Sequence, residues 1–317
     1  MEPAMEPVAH PSMEPGFDVV TGGFSYTGRF IARRLLAQER RVRTLVRSPE
    51  QPPGTEDIKV DMAPLQFTDR SALVESLRGA DVLYNTYWVR FRHGSMSFGE
   101  AVANTRTLIG AAAEASVRKI VHISVSNPSI DSHLDYYAGK ARTEEIVRGS
   151  GLRWAIVRPT LVFGTGDILV NNIAWLIRRM PIFLIPGLGG YRVQPVAVED
   201  VAEIATWAAE QSDNLIVDAA GPDTVTYGEF VEGIAIAVGR RPRFVYTSPR
   251  LTLLAGDVVA WRLRDVMLTK QELQGLMEEL LVSHEKPLGT RRMDNWLLTN
   301  AETLGRTYAS ELDRHWR

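Results

Sequence analysis

Along residues 17–160 the chain alternates between two hydrophobic rhythms. Short apolar runs at Val19-Val20, 42–46, 58–60, 81–86, 119–124 and 154–157 read as strands, the third of them closed by Asp61. Between them apolar residues recur three and four apart. Ile31, Leu35 and Leu36 share one helical face, and similar spacing predicts helices over 71–78, 98–115 and 134–148. Strands and helices alternating in this way predict βαβ units and a parallel sheet, an α/β fold of the Rossmann-like, doubly wound kind.

Beyond residue 159 the rhythm changes. Residues 164–166 read as a loop, 169–180 as a helix and 181–190 as a Pro/Gly-rich excursion. A helix over 201–210 follows, with Glu199 or Asp200 supplying its cap, then a seventh strand at about 215–218 and a helix over 227–238. Most of 250–317 reads as helical, most clearly 271–281. The expected division is a dinucleotide-binding core at 17–165 and a smaller, mostly helical substrate lobe at 166–317 that returns the late strand to the core. Residues 1–16 carry three Met-Glu-Pro triplets and are expected to form a flexible tail, without the basic segment and apolar core of a signal peptide.

The first strand runs into Thr21-Gly22-Gly23-Phe24-Ser25-Tyr26-Thr27-Gly28 and then a helix, the context in which a glycine motif carries meaning. Glycines allow positive φ and close backbone approach, and the helix's first turn offers unpaired N–H groups to a pyrophosphate. Gly22, Ser25, Tyr26, Thr27 and Gly28 are the expected contacts. Ser25 stands where T-G-x-x-G-x-x-G has its middle glycine; its Cβ crowds the phosphate, or its hydroxyl donates to it. A purely structural βα turn is the alternative. About twenty residues on, an acidic residue would accept from the adenosine ribose and repel a 2′-phosphate. This chain instead has Arg47-Ser48, with Arg43 before them, and a guanidinium grips a phosphate well, so NADP is preferred over NAD. A merely solvated Arg47 is the alternative. Asp61 is expected beside the adenine, or in a turn.

Composition removes several other classes. The chain has 317 residues with 36 basic and 38 acidic side chains, a net charge of −2 that gives no pull toward nucleic acid. It has no cysteine, which excludes disulfides and thiolate chemistry and agrees with a cytoplasmic setting. The six histidines lack metal-ligand spacing, so no metal is expected. No apolar run is long enough for a membrane span, and Gly-x-Ser-x-Gly is absent.

Tyr136-Tyr137-Ala138-Gly139-Lys140 contains Tyr-x-x-x-Lys, and residues four apart on a helix share a face. A neighbouring ammonium would favour the Tyr136 phenolate and make it a usable acid/base at neutral pH. An amphipathic surface pair is the alternative. The fifth strand ends in Ser124-Val125-Ser126, and Ser126 lies further toward the carboxyl edge where α/β ligands bind. It is the preferred substrate-orienting hydroxyl, with ordinary turn chemistry as the competing account.

TGGFSYTGR, LVRS, the strand-ending Asp61, KIVHISVS, YYAGK, VRPTLVFG and YRVQPVAVEDVA together resemble the short-chain dehydrogenase/reductase superfamily. The resemblance covers about residues 18–200. It is closest to the extended and atypical NAD(P)-dependent epimerase/dehydratase-like members, and includes the group of the NADPH-binding accessory subunit of respiratory complex I. The resemblance implies Tyr136 as general acid/base, Lys140 as its partner on the nicotinamide ribose, Ser126 as orienting hydroxyl and Pro159 beside the nicotinamide. Arg192 sits where sugar-nucleotide epimerases often carry a diphosphate-contacting arginine. Asn104 resembles an asparagine that ties its helix to the site, though a structural role is preferred. Tyr87 and Trp88 depart from the small residues common after the fourth strand, and would line the substrate side or simply pack. Arg90, Arg92 and His93 read as a solvated loop, with contact to an anionic substrate as the alternative. The function implied is NAD(P)-dependent hydride transfer to or from a small molecule, possible also in a homodimer. The alternative is a non-catalytic NADP(H) sensor or complex-assembly protein. A third reading is a quinone- or isoprenoid-type reductase with an apolar pocket built by Tyr87, Trp88, Trp175 and Phe183.

Overall fold

Val19 and Val20 are neighbours on the first strand and both are completely buried, yet they serve different cores. Successive strand side chains point to opposite faces, so a sheet covered on both sides needs apolar residues at every position. Ile120 and Val121, and Ile156 and Val157, divide in the same way. The strands therefore read as continuous runs rather than alternations.

The computed structural model describes residues 16–48, 50–94 and 96–315, so the expected tail lies, but for Gly16, outside the described residues. In chain order the first half comprises β1 (Phe17–Thr21), α1 (Tyr26–Ala37), β2 (Arg41–Val46), β3 (Asp61–Pro64), α2 (Arg70–Leu77), β4 (Ala80–Asn85), α3 (Phe98–Glu114), β5 (Lys119–Ile123), α4 (Asp135–Arg148) and β6 (Arg153–Pro159). Then come β7 (Leu161–Phe163), α5 (Leu169–Arg179), β8 (Ile182–Pro186), β9 (Arg192–Val193), β10 (Pro195–Ala197), α6 (Val198–Glu210), β11 (Leu215–Ala219), β12 (Val225–Thr226) and α7 (Tyr227–Ala237). The chain closes with β13 (Arg243–Thr247), α8 (Pro249–Leu263), α9 (Lys270–Met277), α10 (Met293–Asn300) and α11 (Glu311–His315). Seven strands form one sheet in the order β11-β6-β5-β4-β1-β2-β3, every pair parallel. This is a Rossmann-like α/β fold. The chain leaves β1 toward β2 on one side and returns to β4 on the other, and that switch point is where such sheets bind ligands. A third core, around Phe163, Ile173, Phe230 and Leu276, lies among the later elements.

Four local expectations change. The third strand is Asp61–Pro64, not 58–60, so Asp61 opens it and is exposed. Ile58 is fully buried in a turn, its N–H bonded to the Thr55 carbonyl, so its apolar side chain fills the core while the ladder uses the backbone after it. The stretch 181–190 contains β8, paired in parallel with β13, a partner some sixty residues away that local composition does not reveal. The helix expected at 201–210 begins at Val198 behind Ala197, without a side-chain cap. Asp200 instead accepts from the N–H groups of Thr290 and Arg291 and pairs with the Arg291 guanidinium. Phe183 belongs to the third core and Trp175 packs against Tyr308 and Arg179, so neither builds a wall beside the switch point.

Below the switch point His122 is completely buried between Asn85 and Thr143, 3.0 Å from each. The neutral ring satisfies both: Nδ1 accepts from the Asn85 amide and Nε2–H donates to Thr143. Burial, with Lys140 adding repulsion, lowers its pKa from 6.5 to about 3. Between those values the unfolded chain binds the proton and the folded one does not, so this contribution is complete above pH 6.5 and is lost as pH falls toward 3. Lowering pH from 7 to 4.5 should cost about 2–3 kcal/mol through this ring. Urea denaturation of wild type and His122→Gln at both pH values measures it: the variant should show the shallower loss, and equal losses would refute the assignment.

Candidate cofactor and catalytic site

The turn after β1 is held from two sides. The Gly22 N–H donates to the Leu45 carbonyl (3.0 Å) and the Gly23 N–H to Thr44 Oγ1 (2.7 Å), which fixes the turn to β2. Thr21 Oγ1 accepts from the N–H groups of Thr86 (2.8 Å) and Tyr87 (3.1 Å), which fixes it to the end of β4. Gly22 has φ +62°, and a methyl at Gly28 would lie 2.1 Å from the Gly22 carbonyl oxygen, so helix and strand approach as only glycine permits. The N–H groups of Tyr26, Thr27 and Gly28 find no acceptor among the described residues. The first turn of α1 also carries no acid. These are the features of an anion cradle, and they fit a dinucleotide pyrophosphate.

Ser25 precedes α1 in extended conformation and makes no capping bond. Its Oγ lies 3.2 and 3.0 Å from where methyls at Gly22 and Gly28 would stand, so the hydroxyl fills the inside of the turn. The Tyr26 side chain leaves the cradle. Its hydroxyl is buried without a partner near Gly164, and burial together with Asp167 and Glu199 pushes its pKa up. Only the Tyr26 backbone faces the anion position. Arg47 and Ser48 are exposed just past the end of β2, with Ser48 Oγ accepting from the Glu50 N–H at 3.3 Å. Arg43 is committed elsewhere, to the Ser76 carbonyl at 2.9 Å and the Phe17 ring.

On the other side of the switch point, Tyr136 and Lys140 share a face of α4, but Trp88 lies against both. Its ring sits 4.8 Å from Lys140 Nζ and 5.9 Å, edge-on, from the Tyr136 ring, and it stacks on Phe98. Gly139 makes the room: a methyl there would lie 2.8 Å from Trp88 Cη2. Lys140 is buried, donates to the Ile123 carbonyl at 3.0 Å, and is lowered to about 7 by burial, partly offset by Glu144. Tyr136 is half-buried, and its hydroxyl makes no hydrogen bond with the described residues and is not sealed off. Burial and then Glu272 push its pKa up to about 12, against the opposing pull of Arg90. The cation acting on this phenol is therefore Arg90, not the expected Lys140.

Both serines are engaged. Ser124 Oγ donates to Glu144 (2.6 Å), which also holds Arg158 bidentately. Ser126 Oγ donates to the Leu280 carbonyl at 2.7 Å, and its N–H to the Pro159 carbonyl. The hydroxyl expected to face a substrate thus faces the main chain of the C-terminal segment. Arg192 pairs with Glu279 at 2.5 Å, which also accepts its backbone N–H. Tyr87 packs on Phe67 and accepts from Asn104 at 2.9 Å, giving both a structural role.

Arg90 differs most from expectation. It is not solvated but pairs with Glu272 of α9 and Glu311 of α11, across 182 and 221 residues of sequence. Thr269-x-x-Glu272 reads as a capping box and is one, so the sequence signal for Glu272 was local and hid its second task.

Residues 22–166 match a protein family described as NAD(P)H-binding. The chain is 25% identical over 249 residues to a ceramide reductase of Caulobacter vibrioides, covering 78% of each. It is 28% identical to the mitochondrial NADH-ubiquinone oxidoreductase 40 kDa subunit of Neurospora crassa, covering 73% of this chain but only 63% of that subunit. In fold it resembles the triphenylmethane reductase of Citrobacter sp. complexed with NADP(H), with a TM-score of 0.71 at 14% identity over 90% of this chain and 99% of that one.

The fit between Gly139 and Trp88 can be measured. Gly139→Ala gains helix propensity but forces its methyl into the indole, a net loss of about 1–2 kcal/mol. In a Trp88→Leu background the loss should disappear. Equal effects in both backgrounds would show that Trp88 does not occupy this space.

Proposed function

We propose that the chain is an NADP(H)-preferring reductase of short-chain dehydrogenase type, acting on a carbonyl compound. The observation that carries this reading is the Tyr136 hydroxyl. It makes no hydrogen bond among the described residues and is held protonated, whereas Ser124, Ser126 and Lys140 are all committed. A neutral phenol is the form that donates a proton, which suits reduction. Tyr136 gives its proton to the carbonyl oxygen as the carbon gains hydride, and the Arg90 guanidinium stabilises the phenolate until solvent reprotonates it. When bound, the reduced dinucleotide supplies the hydride. The backbone of Gly22, Ser25, Tyr26, Thr27 and Gly28 holds its pyrophosphate, Arg47 and Ser48 meet the 2′-phosphate, Asp61 borders the adenine, and Lys140 and Pro159 border the nicotinamide end. Because Arg192 is committed to Glu279, the anchor for a sugar-nucleotide diphosphate is missing, which favours a reductase over an epimerase.

A second reading, a protein that binds NADP(H) without turnover, is supported by the Ser126–Leu280 bond and by Trp88 against Lys140. Titration with NADPH and NADH, followed by nicotinamide fluorescence and melting temperature, tests the shared premise. NADPH should bind at least about tenfold more tightly, and Arg47→Glu should remove that margin; equal affinities in wild type would defeat the Arg47 assignment. With a panel of ketones and quinones, Tyr136→Phe should reduce turnover by about 10²–10⁴-fold while leaving NADPH affinity within twofold. Undiminished turnover would eliminate Tyr136 as the acid. Tight NADPH binding with no turnover of any panel member would favour the second reading.

A further inference from the structure

Helix α8 is apolar on both sides, yet none of its residues is buried. A helix apolar all round is normally enclosed by protein or lipid. One side, with Leu253, Val259 and Leu263, is partly covered where α8 packs on β8. The other side presents Leu251, Leu254, Val258 and Trp261, spaced three, four and three apart, at 51%, 60%, 61% and 80% exposure. At 100° per residue these four fall within one narrow stripe, with Arg250 and Arg262 on its two flanks.

The surrounding charge says what covers the stripe. Residues 240–264 contain six arginines, Arg240, Arg241, Arg243, Arg250, Arg262 and Arg264, against one acid, Asp257, in a chain whose total is −2. All six are exposed, and none pairs with a carboxylate among the described residues. We propose that α8 and the arginines around it dock the protein on an anionic lipid surface, the stripe entering the interface and the guanidinium groups meeting lipid phosphates. Leucine and tryptophan on one face with arginine at its edges is the composition of an interfacial helix, and an indole between apolar and aqueous zones is at its preferred depth. No helix among the described residues is long and apolar enough to cross a membrane, so attachment is to the surface. A second copy of this chain is disfavoured as occupant, because a twofold contact through the stripe brings one arginine set against the other. The inference is independent of turnover at Tyr136.

Co-sedimentation of the full chain with vesicles tests it, using phosphatidylcholine alone and phosphatidylcholine with 30% phosphatidylglycerol. Wild type should bind the anionic vesicles, fail to bind the neutral ones, and be released by 0.5 M NaCl. Leu254→Glu with Trp261→Glu should weaken binding at least about tenfold, and Arg250→Gln with Arg262→Gln and Arg264→Gln should do the same by removing charge alone. All five side chains are exposed, so circular dichroism and NADPH binding should match wild type. Absence of binding to anionic vesicles, or binding unchanged in both variants, overturns the proposal. So does a wild-type dimer, seen by light scattering without lipid, that Leu254→Glu with Trp261→Glu converts to monomer, since the stripe is then covered by a second copy.

Discussion

The contact between Gly28 and the Gly22 carbonyl sets the terms for the rest of the site. A methyl at Gly28 would lie 2.1 Å from that oxygen, so the start of α1 reaches the end of β1 only because no side chain intervenes. That approach turns outward, at the switch point of the sheet, three N–H groups that have no acceptor among the described residues. The threonines around it (Thr21, Thr44 and Thr86) spend their hydroxyls tying the turn to β2 and β4. The result is a rigid cradle whose donors are pre-aimed, so little ordering cost remains for an anion to bear.

Across the cleft the design is governed by burial. A phenol, an ammonium and a guanidinium all lie in poorly hydrated surroundings, Arg90 between Glu272 and Glu311 and Lys140 near Glu144, and each group's protonation follows from its neighbours. Lys140 is lowered to about 7 because burial penalises its charge, while Tyr136 is raised to about 12 because burial penalises phenolate and Glu272 repels it. Arg90 keeps its charge because two carboxylates enclose it. The C-terminal segment therefore does more than cover the strand ends. Through Glu272, Leu280 and Glu311 it reaches Arg90 and Ser126, and Glu272 raises the pKa of the Tyr136 phenol.

Much of the sheet was legible because its information is local. Val19-Val20, the glycine turn and the helix that follows announce themselves within twenty residues, and strand–helix alternation then predicts parallel pairing. Even β11, far along the chain, appeared as a short apolar run. Legibility failed where two segments jointly define an element. Ile58 looked like strand because it is apolar, but it is a core plug, and the ladder begins at Asp61. β8 was invisible inside a Pro/Gly-rich stretch because its partner β13 lies elsewhere.

The candidate site divides in the same way. Sequence by itself determined the fold, the glycine cradle, and the placement of Tyr136 and Lys140 on one helical face, since each depends on spacing within a single element. Only the tertiary structure decided what those side chains meet: Trp88 against both, the electrostatic pull of Arg90 rather than Lys140 on the phenol, and Leu280 on Ser126. Those outcomes depend on contacts between residues up to 221 positions apart. A pKa or a hydrogen bond is a property of the whole neighbourhood, and only folding assembles it.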